Sequence, residues 1–243
     1  MNGVRMEYLT FGMMALLVIT ASFLQSLIGL GYVLLVAPFL VLYDPNFVPV
    51  PMLLCGLFLP LLMVWRDHRS IDFSSVKLAI CGRVLGNLIA VWLITIISRN
   101  TFMVVFGVLI IIAVVLSGSN LKFRPTVVGV GIAGLFSGIM GTLAGLGGQP
   151  MAIVYQNEKG SVIRGTLSGF SILGTVLSLL FLGVAGRFTL NDLKLFFYMV
   201  PGIVLGFYLS KYAISFVDKG YIRKAMLGVS FLTAIMVIVK APR

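Results

Sequence analysis

Apolar runs long enough to cross a membrane recur along this chain from Tyr8 to Val239, with only brief polar breaks between them. A helix needs about 20 consecutive apolar residues to cross a hydrocarbon core roughly 30 Å thick. Only 10% of the residues are charged, whereas soluble domains carry about 25%, so this chain cannot cover a globular surface with charge. The pattern predicts an all-α polytopic membrane protein.

Two of the apolar segments are much shorter than the others. The segments lie near 8–29, 31–43, 48–65, 74–98, 101–117, 126–145, 149–156, 161–184, 190–213 and 220–239. Because a helix rises about 1.5 Å per residue, 31–43 and 149–156 cannot span the core unaided. Each follows a glycine-rich break, so we expect about 8 to 10 transmembrane segments, including two short helices that begin after glycine.

The order of the segments indicates two copies of one plan. Gly29–Gly31 recurs as Gly145–Gly147, and Val84–Gly86 recurs as Val204–Gly206. We call the distance from Gly29 to Gly145 the repeat interval. Matches in the same order at nearly constant spacing favour an internal duplication, which is the usual architecture of secondary transporters.

The predicted organisation is a first transmembrane repeat over 1–117, a connecting loop over 118–125 and a second repeat over 126–243. Because each repeat has an odd number of segments, the second enters the membrane upside down, as an inverted repeat. With ten segments, most Lys and Arg collect on one side, which predicts a cytoplasmic face there and both termini outside. If each broken pair makes a single crossing, that bias reverses, so the orientation stays open.

The break at 145–150, with the sequence GLGGQP, is the feature with the clearest chemical meaning. Backbone that leaves helical geometry inside a bilayer is tolerated only where it is buried in protein or lines a polar cavity. Gly147 and Gly148 permit the turn, and we expect Pro150 at the first position of a new helix. That helix would present free N–H groups and a positive dipole end to an anion, with the amide of Gln149 beside them.

Glycines in this region also have a packing interpretation. Gly134, Gly138, Gly141 and Gly145 are spaced as in close helix–helix contacts, and we favour packing for these four. We favour ligand binding for Gly147, Gly148 and Gln149, together with Gly31 at the matching break of the first repeat. A phosphate-binding loop is excluded, since no Lys-Ser or Lys-Thr follows.

The doubled glycine break with a following proline resembles the TauE/SafE family of sulfite and sulfonate exporters. Gln149 stands where the family signature has a third glycine, and Tyr32 stands where the first copy would have one. The two-repeat plan extends the resemblance over nearly the whole chain. It implies a multi-pass protein of the cell inner membrane that exports small sulfur-containing anions such as sulfite, sulfoacetate or related organosulfonates.

Arg83 is the one cation well inside an apolar segment, and Asn87 shares its helical face. Burying an arginine at membrane depth costs at least about 2.5 kcal/mol. We favour an anion contact for this pair. The alternative is that Arg83 extends to the interface or pairs with Asp72. The residues that correspond to Arg83 and Asn87 in the second repeat are Ile203 and Phe207. The second repeat therefore does not bear the cost of a buried arginine.

A polar stripe runs along the segment that begins at Ser161. Its members, spaced for one helical face, are Arg164, Ser168, Ser171, Thr175 and Ser178. They offer donors along a pathway, although membrane Ser and Thr often bond only to the carbonyl one turn earlier. Before the first break, Gln25 and Ser26 form a shorter polar patch, and Ser26 corresponds to Thr142 at the repeat interval.

The acids lie outside or at the edges of the apolar segments, and the only histidine, His68, is in a loop. Cation and proton coupling are therefore disfavoured, as is an intramembrane enzyme, which needs a nucleophile with a base or paired acids. We predict a secondary transporter that exports small anions, with an anion channel or facilitator and a ligand-free membrane scaffold as alternatives.

The net charge of +11 does not indicate a nucleic-acid partner. Nearly all of the Lys and Arg lie in loops or near segment ends, which is typical of cytoplasmic loops and headgroup anchors. The expected partners are the lipid bilayer and a small anion, with a homodimer left open beside a monomeric transport unit. No cofactor, metal ion or catalytic residue is expected.

Overall fold

The computed structural model describes residues 2–29, 31–67, 73–118, 126–155, 160–213 and 219–240. Side chains are described for 12–29, 31–65, 76–118, 126–155, 165–213 and 226–240. Within these ranges the regular secondary structure is entirely helical. The predicted all-α class is confirmed.

Ten α-helices and one short 3-10 turn make up the described chain. The helices are α1 Asn2–Ile28, α2 Tyr32–Tyr43, α3 Val50–Asp67, α4 Phe73–Ile96, α5 Arg99–Gly118, α6 Val127–Ala144, α7 Gly148–Tyr155, α8 Gly160–Val184, α9 Leu190–Ala213 and α10 Lys219–Lys240. The 3-10 turn, Pro45–Phe47, lies between α2 and α3.

Five of these helices are long and apolar enough over their described residues to cross a membrane. The spans are Val76–Ile96, Arg99–Gly118, Val127–Ala144, Gly165–Val184 and Leu190–Ala213. Helices α1, α3 and α10 have 27, 18 and 22 residues and carry shorter apolar stretches within the described side chains. Large apolar side chains such as Trp92 and Phe197 are exposed on the outer surface, as expected for a surface that faces lipid.

The two glycine breaks are present. At the second, Gly145 adopts a left-handed conformation with φ 70°, and its N–H bonds to the Gly141 carbonyl at 2.8 Å, which ends α6 in an αL motif. At the first, Gly29 has φ 98° and Gly31 has φ 125°. The prediction that Pro150 opens the new helix is wrong by two residues, because α7 begins at Gly148. Pro150 still lies in the first turn, where its missing N–H has no intrahelical partner to lose.

The helix contacts map onto themselves when α1–α5 are exchanged for α6–α10. Helix α4 packs on α6 as α9 packs on α1, α2 contacts α10 as α7 contacts α5, and α3 contacts α8. Such exchange is what a twofold relation between repeats produces. The inverted orientation and the boundary at 118–125 remain predictions, because these contacts carry no direction relative to a membrane and 119–125 lie outside the described residues.

The α4–α6 contact is the most extensive of these, and glycine permits it. A Cβ atom at Gly134 would overlap the Ala79 carbonyl oxygen, and one at Gly138 would overlap that of Arg83. The packing interpretation therefore suits Gly134 and Gly138. It does not suit Gly141 or Gly145, both of which line a cavity. Tight backbone packing on α6 holds α4, and with it Arg83, beside the second break.

Candidate functional site

A cavity of about 40 Å³ lies where the two breaks approach each other. One water-sized group needs roughly 10–15 Å³ by this measure, so the space holds about three such groups. Its lining comes from α1–α4, from α6–α8 and from both breaks. The lining residues are Gln25, Gly29, Gly31, Val33, Met52, Leu53, Gly56, Pro60, Arg83, Gly141, Gly145, Gly147, Gly148, Gln149, Ser168, Ser171 and Thr175.

Arg83 is the only charged residue of this lining, and its side chain is 1% exposed. One terminal nitrogen, Nη1, donates to the Ser137 hydroxyl at 3.1 Å. The guanidinium carbon lies 4.8 Å from the centroid of the Phe170 ring, a cation–π contact that stabilises a desolvated charge. The Nε nitrogen is buried without a hydrogen-bond partner.

No carboxylate in the described part of the chain neutralises Arg83. The carboxylates with described side chains are engaged elsewhere: Asp44 accepts from the Asn46 N–H, and Asp192 accepts from the Thr189 hydroxyl. The alternative that Arg83 extends to the membrane interface does not fit the structure, because the side chain is buried against Ser137 and Phe170. Its alternative partner Asp72 lies outside the described residues.

Ser137 on α6 connects the guanidinium to the second break. Its hydroxyl accepts from Arg83 and donates to the carbonyl oxygen of Gly147. Glycine at two nearby positions leaves space for the charged group. A Cβ at Gly147 would lie 2.8 Å from both terminal nitrogens of Arg83, and one at Gly174 would overlap the guanidinium itself. Side chains at these positions would displace the charge.

The start of α7 adds neutral donors to this charge. The first N–H groups of a helix have no intrahelical acceptor, and the aligned peptide dipoles make this end positive. Gly148 and Gln149 both line the cavity. The Gln149 side chain is 4% exposed, and its Oε1 atom has no hydrogen-bond partner. The second break therefore places the N–H groups of a helix start and a buried side-chain amide beside a buried cation.

The polar residues of the α8 stripe fall into two groups: some line the cavity, and others bond only within the protein. Ser168, Ser171 and Thr175 line the cavity. Ser178 does not; its hydroxyl donates to the Gly174 carbonyl at 3.0 Å and accepts from Thr142 at 2.9 Å. The side chain of Arg164 lies outside the described residues.

Three other residues predicted for the site lie outside the lining. With its amide oriented to satisfy both ends, Asn87 donates to the Thr142 hydroxyl at 3.1 Å and to the Arg83 carbonyl at 3.1 Å. This bonding holds α4, α6 and α8 together. Ser26 donates to the Ser22 carbonyl at 2.7 Å, the local bond expected of a membrane serine.

The first break differs in what surrounds it. The Tyr32 N–H at the start of α2 donates to Oε1 of Gln25 at 2.8 Å, so a side chain already occupies that donor. A Cβ at Gly31 would meet the sulfur of Met226. Gln25 and Gly31, both predicted for the site, line the cavity.

Several residues that line the cavity or hold Arg83 in place were not singled out from the sequence. Val33 corresponds to Gln149 at the repeat interval, so the duplication could have located it. Leu53, Gly56 and Pro60 repeat the spacing of Ser168, Ser171 and Thr175 on the facing helix, which is visible only once the helices are paired. The remaining ones, which surround the guanidinium, are Ser137, Phe170 and Gly174.

Comparison with known families agrees with this architecture. A family model described as sulfite exporter TauE/SafE matches residues 14–237, a range that includes every residue of the cavity lining. No curated protein and no solved structure gives a match. Since the matched range covers nearly the whole chain, the protein belongs to the TauE/SafE sulfite exporter family of multi-pass membrane transporters.

Proposed function

We propose that this protein exports a small sulfur-containing anion, sulfite or a small organosulfonate, and binds it in the cavity between the two breaks. The observation that carries the proposal is Arg83. A guanidinium that is 1% exposed, has an unpartnered Nε and lines a cavity next to a helix N-terminus is a costly arrangement without a ligand. A bound oxyanion would supply the missing counter-charge.

The donors around the cavity suit an oxygen-rich anion. The planar guanidinium presents N–H groups in a fixed fork that matches two oxygens of one group. The N–H groups at the start of α7 and the hydroxyls of Ser168, Ser171 and Thr175 surround the same space. One positive charge with neutral donors attracts anions and repels cations. Because sulfite and sulfonate groups both carry three oxygens on one sulfur, the same donors serve either.

Export along the membrane potential needs no further charged residue in the site. In a cell whose interior is negative, moving one negative charge outward releases about 2.3 kcal/mol per 100 mV. We therefore place the protein in the cell inner membrane, with export driven by the potential. The site itself supplies recognition rather than energy.

There are two alternatives, a ligand-free scaffold and an anion channel or facilitator. The lining of the cavity bears on the first, and the kinetics of flux bear on the second. A ligand-free scaffold would have dry glycine contacts at both breaks, whereas Arg83, Gln149 and three hydroxyl groups line this cavity. An anion channel or facilitator would use the same donors. A carrier alternates access to one site, so unlabelled substrate on the far side accelerates exchange of label, while a channel shows no such acceleration.

The test is flux of labelled sulfite in proteoliposomes under an imposed potential. We expect flux in the wild type and a fall of about 100-fold in Arg83→Ala, because hydrogen bonds to charged groups contribute about 1.5–3 kcal/mol each. Arg187→Ala is the matched control, since Arg187 is exposed and its terminal nitrogen only contacts the Ile94 carbonyl at 3.4 Å. Unchanged flux in Arg83→Ala would remove the site, and no sulfite or sulfonate flux in the wild type would remove the function.

A further inference from the structure

The cavity has two chemically different walls. Arg83, Gln149 and the hydroxyls of α8 form a polar wall around the second break. The apolar wall comes mainly from α3 and the first turn of α2, with Val33, Met52, Leu53, Gly56 and Pro60. Helices α3 and α8 pack against each other, and both line the cavity. A guest in the cavity thus meets donors from one set of residues and hydrocarbon from the other.

Gly56 on the apolar wall is a glycine that the fold does not require. It lies inside α3, it is half-buried, and its φ is not positive. A Cβ atom built on it would meet no other atom within 4 Å. Glycine is among the poorest helix formers, and alanine is the best. Neither backbone conformation nor helix packing therefore accounts for glycine at this position.

The open space at Gly56 belongs to the cavity. Gly183 and Gly228 also have open space at the Cβ position, but they are on exposed faces outside the cavity lining. At Gly56 the missing side chain enlarges the apolar end of a space of only about 40 Å³. In so small a volume the absence of one methyl group decides whether a further group of the guest can enter.

We propose that Gly56 is a specificity-determining residue that admits the organic group of a short alkanesulfonate while the sulfonate oxygens lie at the polar wall. The inference rests on the proposed function and adds the substrate class to it: sulfite and sulfonates with a very short carbon chain. Sulfite has no organic group, so it does not use the space above Gly56.

The experiment compares transport of labelled sulfite and labelled methanesulfonate by wild type, Gly56→Ala and Gly56→Val in proteoliposomes. One added or missing methylene in an apolar pocket changes discrimination about 10- to 200-fold. We expect Gly56→Ala to lower methanesulfonate transport at least tenfold relative to sulfite, and Gly56→Val to lower it further. Gly228→Ala, an exposed glycine on α10 with open space at its Cβ, is the matched control and should leave both rates unchanged.

Thermal stabilisation of the detergent-purified protein by each anion is the second measurement, and it does not require transport. Loss of stabilisation by methanesulfonate alone in Gly56→Ala supports the inference. An equal fall for both anions, or no change for either, overturns the role of Gly56. Wild-type transport of sulfite without methanesulfonate overturns it as well. A wild type that neither binds nor transports either anion overturns the proposed function instead, so the two failures are distinct.

Discussion

The two glycine breaks share a backbone plan but differ in what surrounds the new helix. At the first break, the Tyr32 N–H is already bonded to Gln25, and Met226 fills the space beside Gly31. At the repeat interval, Gln25 corresponds to Gly141 and Tyr32 to Gly148. The second break therefore lacks both the capping side chain and the tyrosine ring, and its helix start opens to the cavity.

The neighbouring helices show the same difference. Arg83 on α4 has Ile203 as its counterpart on α9, and Ile203 is fully buried among apolar side chains. Ser137 on α6, which holds the guanidinium, corresponds to Ala21 on α1. Broken helices alone thus do not make a site. The shared backbone provides two helix starts, and substitutions around one of them provide the charge and the free donors, which favours one anion site over two equivalent ones.

The difference between the two breaks is tested most directly by adding the same methyl group at each of them. In Gly147→Ala the backbone is not strained, because φ is not positive, but Cβ would lie 2.8 Å from the terminal nitrogens of Arg83. We expect the KM for sulfite to rise about 10- to 100-fold, consistent with losing hydrogen bonds of 1.5–3 kcal/mol to a charged group. The melting temperature should change little.

Gly31→Ala should have the opposite pattern, with lower stability and little change in the KM for sulfite. With φ at 125° and Met226 against the site of the new Cβ, the substitution strains the backbone by at least about 1–2 kcal/mol. Thermal unfolding in detergent should show lower stability, while KM per folded protein stays near that of the wild type. Equal effects of the two substitutions on KM would mean that both breaks bind substrate, and the proposed asymmetry would be wrong.

The helical membrane fold could be predicted from the sequence because it depends mainly on the length and composition of the apolar segments. Apolar length identifies spanning helices, and glycine inside such a segment identifies a break. Arg83, Gln149, Ser168 and Ser171 could be predicted for the site because polar groups are conspicuous among apolar ones. Each of these four lines the cavity.

What the sequence could not give is the direction in which each side chain points. Asn87 and Thr142 are as polar as Gln149, yet they hydrogen-bond to each other and lie outside the cavity lining. The apolar wall could not be predicted at all, since Leu53 in an apolar helix resembles every other leucine. Ser137 lies in a glycine-rich stretch whose pattern indicates helix packing, so that pattern offered no reason to assign it to the site. These features depend on which helices meet, and that follows from tertiary packing.

A smaller effect is expected from making α6 resemble α1 at one position. Ser137→Ala copies Ala21 and removes both the acceptor for Arg83 and the donor to the Gly147 carbonyl. We expect the KM for sulfite to rise about tenfold with little change in kcat, because the charge remains but is no longer held in place. Ser137→Thr retains a hydroxyl and should restore most of the affinity.

Ser22→Ala on α1 is the control for this substitution. Ser22 is buried like Ser137, but its hydroxyl has no hydrogen-bond partner, so its removal should leave KM unchanged. A rise in KM with Ser22→Ala would show that any lost hydroxyl near the breaks disturbs binding, and Ser137 would lose its positioning role.

The smallest effect compares the two glutamines that line the cavity from opposite breaks. Gln149→Ala removes the side-chain amide N–H that would donate to the anion, and the Oε1 lost with it has no partner in the protein, so stability should be preserved while KM for sulfite rises about two- to tenfold, as for one neutral hydrogen bond. Gln25→Ala removes the acceptor for the Tyr32 N–H and should cost about 0.5–2 kcal/mol of stability, as for a helix cap, with little change in KM. Paired flux and melting curves separate the two results. If Gln25→Ala weakens binding as much as Gln149→Ala, the amide of the first break also reaches the anion, and the site spans both breaks.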